Sequence, residues 1–567
     1  MKRPENLIYA VDEWPSLPKL AALSLQQVSL VSIYLVLLVI VLREAGASPI
    51  AARNTLSFAM IAMGMGVVLQ GLWRGPVGSG FLAPPVLTAI YLKVSIAAAQ
   101  VGGMPLVAGM TMAAGGFEAL MSRFLHRLRR VFPPVVSGII ITAVGFEVGL
   151  VGFKQFLCVV DTLCTRDFRM HLIVSTLTVG TMMGLSVWGR GLLRLFGSLL
   201  GMLVGLAAAV LAGLISPQAW VELAAAPLVA LPGVSHLAYA FDSSLLIPFL
   251  VAGLAACLRT IGVVTTCQRI NDADWQKPER RSIRGGVLAD GLGTAVSGAL
   301  GVTGISTAIS AVGASKASGA TSRYIALGMG AWFLALACLP KLAAVFLAFP
   351  PAVLGGTLVF TGSLVVGGGL QLMAAGNLDT RKTFIIATSL ILAVSHQVYR
   401  SFFAGLPPWL HEITGSMLSI ATITAIVLNL IFRFGIRRNA KLSVAGTAGS
   451  WEAADQWLLA EGRDWGVNSG DLLQASESIK CAMALIQEGQ LAEGPVELEI
   501  SYDEIDLVLE LSYRGNPVQA PAPQQQPVAS GEETPLARDL LAAWHCVPLE
   551  PLAPKTGEAN CHIRLVF

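Results

Sequence analysis

Runs of about 17 to 25 mostly apolar residues, each long enough to cross a hydrocarbon core roughly 30 Å thick as a helix, recur from near residue 17 to near residue 435. At that depth no water is present to bond exposed backbone. Each spanning segment must therefore satisfy its own N–H and C=O groups, which a helix does within one segment. The chain reads as an all-α polytopic membrane protein, and its 54% hydrophobic and 13% charged residues lie far from soluble usage. About fourteen spans are expected, near residues 17–42, 55–73, a short one at 86–101, 104–121, 131–152, 170–187, 192–216, 244–266, 283–300, a short one at 305–315, 323–348, 351–373, 382–398 and 416–434. Residues 1–17 carry acids and prolines without the order of a signal peptide, so the first run stays as a span.

Basic residues set the orientation. Arg123, Arg127, Arg129 and Arg130, then Arg190 and Arg194, then Arg269, Lys277, Arg280, Arg281 and Arg284, then Arg381 and Lys382 fall in loops on one side. The positive-inside rule makes that side cytoplasmic. Lys2, Arg3 and Lys19 before the spans, and Arg433, Arg437, Arg438 and Lys441 after them, share it. An integral protein of a bacterial inner membrane with both termini in the cytoplasm is expected. The net charge of +3 is small and dispersed, which argues against nucleic acid as the partner class.

Two of the apolar runs are broken by glycine and proline, at Gly78-Ser79-Gly80-Phe81-Leu82-Ala83-Pro84-Pro85 and at Gly301-Val302-Thr303-Gly304-Ile305-Ser306-Thr307. The first break lies about 65 residues after the start of the first span, and the second roughly 63 after the start of the eighth. That is the weak symmetry of a seven-plus-seven repeat, with halves near 17–225 and 240–435. An odd number of spans per repeat inverts the second copy, so the half-helices after Pro85 and Ser306 should approach the midplane from opposite sides. Their N-termini carry unpaired N–H groups and partial positive charge, which favours acceptor oxygens or an anion. Ser79, Thr303, Ser306, Thr307 and Ser310 add hydroxyls, which either bind substrate or return hydrogen bonds to local backbone.

Phe132-Pro133-Pro134-Val135-Val136-Ser137-Gly138, Asp290-Gly291-Leu292-Gly293-Thr294-Ala295-Val296-Ser297-Gly298 and Ser24-Leu25-Gln26-Gln27 resemble motifs of the nucleobase-ascorbate transporters, the xanthine/uracil permeases. The resemblance runs over about residues 17–435. It implies a core and a gate domain, each mixing helices of both repeats, with substrate held between the half-helices and the eighth span. It also implies elevator-like transport, with a proton or sodium ion as coupling partner. Three positions depart from the family pattern. Arg259, in Arg259-Thr260-Ile261-Gly262-Val263, stands where the family has a substrate-binding Glu; Ser310 replaces its second acid, and Gln27 its first-span His.

A carboxylate accepts N–H bonds from a base edge and carries a proton, whereas Arg only donates and stays charged. The expected substrate is therefore anionic: an ionised purine such as urate, or a carboxylate, sulfate or bicarbonate. Arg259 at the cytoplasmic edge, snorkelling as a helix anchor, is the alternative. The substrate-site candidates are Arg259, Thr260, Gln26, Gln27, Ser79, Gly80, Phe81, Thr303, Ser306 and Ser310. Glu147 and Lys93 are the coupling candidates, with Lys93, Arg259 or Lys341 as partners for Glu147. Asp290 reads either as a family site or as an acid of a helix N-terminus or an interfacial pair.

Gly64, Gly66, Gly103, Gly109, Gly115, Gly355, Gly356, Gly362 and Gly367 to Gly369 read as close-packing residues. His126, His171, His236, His396 and His411 read as interfacial or solvated. Cysteines show no metal spacing, and Cys158 and Cys164 share a polar loop in which a disulfide fits. No cofactor or metal is expected, and no nucleophile or paired-acid constellation marks an enzyme. The expected partners are a small-molecule substrate, the bilayer and a second copy in a homodimer.

The spanning domain is expected over residues 1–438 and a small cytoplasmic α+β domain over 445–567. A helix is predicted at 469–489, strands at 496–500 and 505–511 around Asp503-Glu504, a linker at 517–527, a helix at 536–544 and a strand at 561–567. That order is similar to the ATP-binding domain of histidine kinases and anti-sigma factors, with Glu477 opening their box. Cys481 stands where they hold magnesium, and Leu511-Ser512-Tyr513-Arg514-Gly515 lacks their adenine motif. A sulfate/bicarbonate-type carrier, or a sensor signalling through this domain, remains beside the permease reading.

Overall fold

A computed structural model describes residues 3–4, 7–124, 133–158, 168–273, 275, 278–374, 378–407, 414, 416–432, 438–444, 450–467, 469–488, 492–502, 507–515, 550–552 and 560–566. Lys2, His126, Arg127, Arg129, Arg130, Phe132, Cys164, Lys277, His411, Arg433, Arg437, Asp503, Glu504, the linker 517–527 and the helix 536–544 lie outside the described residues. The chain divides into Met1–Leu430 and Ile431–Phe567.

In the first unit, α1 (Leu17–Ser32), α2 (Leu35–Glu44), α3 (Pro49–Gly71), β1 (Pro85–Leu87), α4 (Ala89–Met121), α5 (Pro134–Phe156), α6 (Phe168–Trp188) and α7 (Gly197–Leu211) form one series. A second series repeats it in order: α8 (Leu246–Asn271), α9 (Arg280–Ala299), β2 (Ile305–Thr307), α10 (Ile309–Ala317), α11 (Ile325–Ala337), α12 (Pro340–Leu347), α13 (Pro351–Met373), α14 (Thr380–Val398) and α15 (Met417–Ile431). Local chemistry starts these helices. Ser48 caps α3 ahead of Pro49, and Asp379 caps α14. Pro133-Pro134 and Pro350-Pro351 open α5 and α13 at matching places in the two series.

Among the described residues, seven helical segments are long and apolar enough to cross a membrane, or eight if the bent pair α11–α12 is one span. About fourteen spans were expected, two of them short, and further apolar helices accompany these long ones; several expected spans are joined, bent or shortened for local reasons. The predicted 86–101 and 104–121 share α4, which breaks at Gly102 and at Gly103, whose φ is 65°. The predicted 323–348 bends by 81° ahead of Pro340. Helices α7 and α15 have 15 residues each, short of the roughly 20 a span needs.

Glycines let helix pairs approach to backbone contact. Between α4 and α9, a Cβ on Gly115 would meet the Ala295 nitrogen at 2.3 Å, and one on Gly291 the Ala119 nitrogen at 2.4 Å. Between α5 and α13, a Cβ on Gly362 would meet Gly149 at 2.8 Å. Gly367 and Gly368, by contrast, face open space, and Gly103 is a kink rather than a packing residue. Gly115→Val should destabilise the fold by about 1–3 kcal/mol through overpacking. Gly116→Val, where nothing lies within 4 Å, is the control. Thermal unfolding in detergent reads both, and equal midpoints would contradict the close crossing.

Helix packing sorts the unit into two bundles. Helices α1 to α4 pack with α8 to α11, whereas α5 packs on α13 and α6 on α7 and α13. Two of the described histidines bond to backbone carbonyls. His171 is 5% exposed with Nε2 2.9 Å from the Gln155 carbonyl, and His236 bridges the Gly233 and Leu300 carbonyls. Cys158 is disulfide-bonded.

The second unit holds β3 (Arg438–Val444), α16 (Ser450–Asp464), α17 (Ser469–Glu488), β4 (Val496–Tyr502), β5 (Leu507–Arg514), β6 (Glu550–Leu552) and β7 (Asn560–Val566). The strands form an antiparallel sheet in the order β3-β4-β5-β7-β6. Leu458, Ile479, Met483, Leu498, Ile500, Leu509 and Leu511 build its core. The sheet begins before the expected residue 445. Strand β3 is a mostly polar edge strand that pairs from Arg438↔Tyr502 to Val444↔Val496, and neither it nor α16 was expected.

Candidate substrate site

The two breaks meet as a short antiparallel ribbon. Pro85 pairs with Thr307, Val86 with Ser306 and Leu87 with Ile305; beyond them Thr88 N–H donates to the Gly304 carbonyl and Ala308 N–H to the Pro84 carbonyl. Each strand runs directly into a half-helix. The helix N-termini therefore lie at opposite ends of the ribbon, about 13 Å apart at strand rise, each pointing its positive end toward the other. Proline and glycine carry this turn of chain because Pro84 and Pro85 need no N–H partner and Gly301 takes φ 75°.

Asp290, at mid-length of α9 and 2% exposed, anchors the ribbon. Its Oδ2 accepts from Thr260 Oγ at 2.6 Å and Ser306 Oγ at 2.8 Å, and its Oδ1 accepts the Thr307 N–H at 3.0 Å. Thr260 also lies 2.8 Å from the Thr307 hydroxyl. One carboxylate thus joins α8, α9 and β2. This corrects the reading of Asp290 as a helix N-terminal acid or interfacial pair: it is buried at a junction, and its partners are three donors.

Arg259, one residue before Thr260, is half-buried and turned toward the other half-helix. Its Nη1 donates to Thr88 Oγ at 2.6 Å, and Thr88 in turn caps α4 by accepting from the Ile90 N–H. Asp290 and Tyr34 lie in electrostatic reach of the guanidinium. The side chain therefore reaches the N-terminus of α4. At the opposite N-terminus Ala308 supplies no capping side chain, so the first-turn N–H groups of α10 have no local side-chain acceptor. Ser310 there is exposed and lies 3.1 Å from Tyr34 Oη.

A cavity of about 870 Å³ opens beside this end, between α1 and α10 of one bundle and α6, α7 and α13 of the other. Tyr34, Ser310 and Thr361 line it, with two bases, Arg194 and Lys316.

The remaining candidates divide by their partners. Thr260 and Ser306 sit in the Asp290 network. Gln27 is 3% exposed and donates Nε2 to Ser315 Oγ at 3.0 Å, which ties α1 to α10; Gln26 is half-buried on the same helix. Ser79, Gly80 and Phe81 are occupied by packing before the ribbon begins. Ser79 Oγ and Gly80 N–H donate to the Gln70 carbonyl, Ser282 donates to the Ser79 carbonyl, and Phe81 packs on Val263, Val264 and Cys267. Thr303 accepts from Ser297 Oγ through its carbonyl. Glu147 of α5 accepts the Leu418 N–H at the start of α15, with Lys93 in electrostatic reach.

Sequence reasoning missed Thr88 and Tyr34. Thr88 carried a usable signal, a hydroxyl residue directly before an apolar helix. Tyr34 carried none, since its position between α1 and α2 reads as mid-span.

The family model described as "Permease family", that of the xanthine and uracil permeases, matches residues 18–402. The chain is 28% identical to the xanthine permease XanQ of Escherichia coli (strain K12) over 462 residues, covering 76% of this chain and 95% of the relative. It is 25% identical to the uric acid permease PucJ of Bacillus subtilis (strain 168) over 390 residues, covering 66% and 84%. Among solved structures, the transmembrane domain of a cyanobacterium bicarbonate transporter BicA is similar at TM-score 0.45 and 16% identity, covering 71% of this chain and 96% of that one. The murine Slc26a9 anion transporter in the inward-facing state gives 0.47 and 9%, covering 77% and 72%.

Proposed function

The chain belongs to the xanthine/uracil permease family, and on that premise we propose that it is a secondary transporter whose substrate is an ionised purine held between the two half-helices. The observation that carries this reading is Arg259, fixed on Thr88 at the N-terminus of one half-helix. An ionised purine presents acceptor oxygens and nitrogens. Arg259 and the uncapped first turn of α10 supply the donors, and the bases Arg194 and Lys316 draw an anion into the cavity. The cavity between two separately packed bundles suits a carrier in which one bundle moves against the other. Basic loop residues on one side support cytoplasmic termini. The Ile431–Phe567 unit serves in this reading as a regulatory or interaction module.

Binding to the purified protein tests the substrate class. Urate and ionised xanthine should bind, while neutral hypoxanthine and uracil bind at least about tenfold more weakly, the ratio for a loss of roughly 1.4 kcal/mol. Binding of the neutral bases without the anions would overturn the reading. Binding of sulfate or bicarbonate without purines would move it to an inorganic-anion carrier, which the same two bases favour.

A further inference from the structure

Outside the substrate site the membrane unit buries an acid to which the transport reading gives no role. Glu118, three residues before the end of α4, is 0% exposed, and neither carboxyl oxygen accepts a hydrogen bond from a donor group among the described residues. The Tyr91 hydroxyl, also 0% exposed and without a hydrogen-bond partner among the described residues, lies within electrostatic reach of Glu118. The crossing of α4 and α9 at Gly115 and Gly291, tight enough to exclude a Cβ, sets Glu118 beside Asp290, and the two carboxyl groups interact. The groups facing Glu118 are Asp290 of α9, Tyr91 of α4 itself and Cys257 of α8; Arg259 faces Asp290.

Two carboxyl groups thus share one dry site with one guanidinium. Two adjacent carboxylates cannot both ionise in such a place, so the pair retains a proton. Asp290 receives three donors, the pattern of an ionised carboxylate, whereas Glu118 receives none. We propose that Glu118 is a proton-binding site of this protein, paired with Asp290, and that it rather than Glu147 carries the coupling proton. The step is a simple association: an aqueous proton forms an O–H bond on the Glu118 carboxylate and is released when that bond breaks. Asp290 holds Thr260, Ser306 and Thr307, so the charge on Glu118 acts on the ribbon between the half-helices. The coupling role rests on the transport reading above; the proton site does not.

Infrared spectroscopy of the purified full chain reads the site without substrate. Wild-type protein at neutral pH should show the C=O stretch of a protonated carboxylic acid that shifts on exchange into D2O. Glu118→Gln should lose it, Glu118→Asp should restore it, and Glu147→Gln should keep it. Absence of the band in wild type, or its survival in Glu118→Gln, would overturn the proposal. In proteoliposomes with radiolabelled xanthine as probe, Glu118→Gln should retain counterflow and lose accumulation driven by a pH gradient. Accumulation equal to wild type would remove the coupling role. If wild type moves no xanthine, the transport reading fails while the infrared result still decides the proton site.

Discussion

Asp290→Ala should destabilise the membrane unit by about 3–5 kcal/mol, because it strips three donors of a shared acceptor in a dry junction. The donors lose differently. The Thr260 hydroxyl can turn to Thr307 Oγ at 2.8 Å, and Ser306 Oγ has a weaker alternative in Thr260 at 3.4 Å. The Thr307 N–H points at Asp290 Oδ1 alone and cannot rotate. An orphaned backbone donor accounts for about 1–3 kcal/mol, and the lost charge-assisted bonds for the rest. Asp290→Asn keeps one carbonyl oxygen in place and should cost about 1 kcal/mol. Thermal unfolding in detergent compares the two. Equal stability of Asp290→Ala and wild type would mean that the ribbon is held by something other than this carboxylate.

The second large effect concerns Arg259. Arg259→Gln removes the charge and should weaken urate binding by about 100-fold, the equivalent of about 2.7 kcal/mol for a charge-assisted bond in a partly dry site. Arg259→Glu also places a second acid in reach of Asp290 and should abolish anion binding. Arg259→Lys should recover part of the affinity, since it restores a point charge without the planar fork. Scintillation proximity with labelled urate measures all three. Unchanged affinity in Arg259→Gln would return this residue to a helix anchor. Should no variant and no wild type give flux, while signalling through the C-terminal unit depends on Arg259, the sensor alternative would stand in place of the carrier.

Much of the scaffold was legible because its signals are local. A run of apolar residues announces a helix at membrane depth wherever it occurs, and the doubled prolines at 84–85 and 133–134 and the glycines at 301 and 304 mark breaks and starts from their own backbone restrictions. The polar edge strand Arg438–Val444 escaped notice for the complementary reason: its pairing with Val496–Tyr502 is non-local, and its alternation is weak.

The site was legible as a region and not as a set of contacts. Ser79, Gly80 and Phe81 belong to the first break by composition, yet the chain spends them on packing against Gln70, Ser282 and the α8 core, and places Thr88 where Arg259 can reach it. In the second break, Ser306 turns to Asp290, while Ser310, one turn on, faces the cavity. No periodicity separates these neighbours.

From the sequence alone followed the membrane class, the helical segments and the paired breaks, because each depends on what a residue does to its own stretch of backbone or its own transfer from water; that Arg259 stands where an acid was expected followed from the family resemblance. Only the tertiary structure decided that Arg259 donates to Thr88, that Asp290 ties three elements together, and that Glu118 meets it in a dry crossing. Those partners lie 171, 17 and 172 residues apart in the chain, and only helix packing at glycine-lined distances brings them within hydrogen-bonding or electrostatic reach.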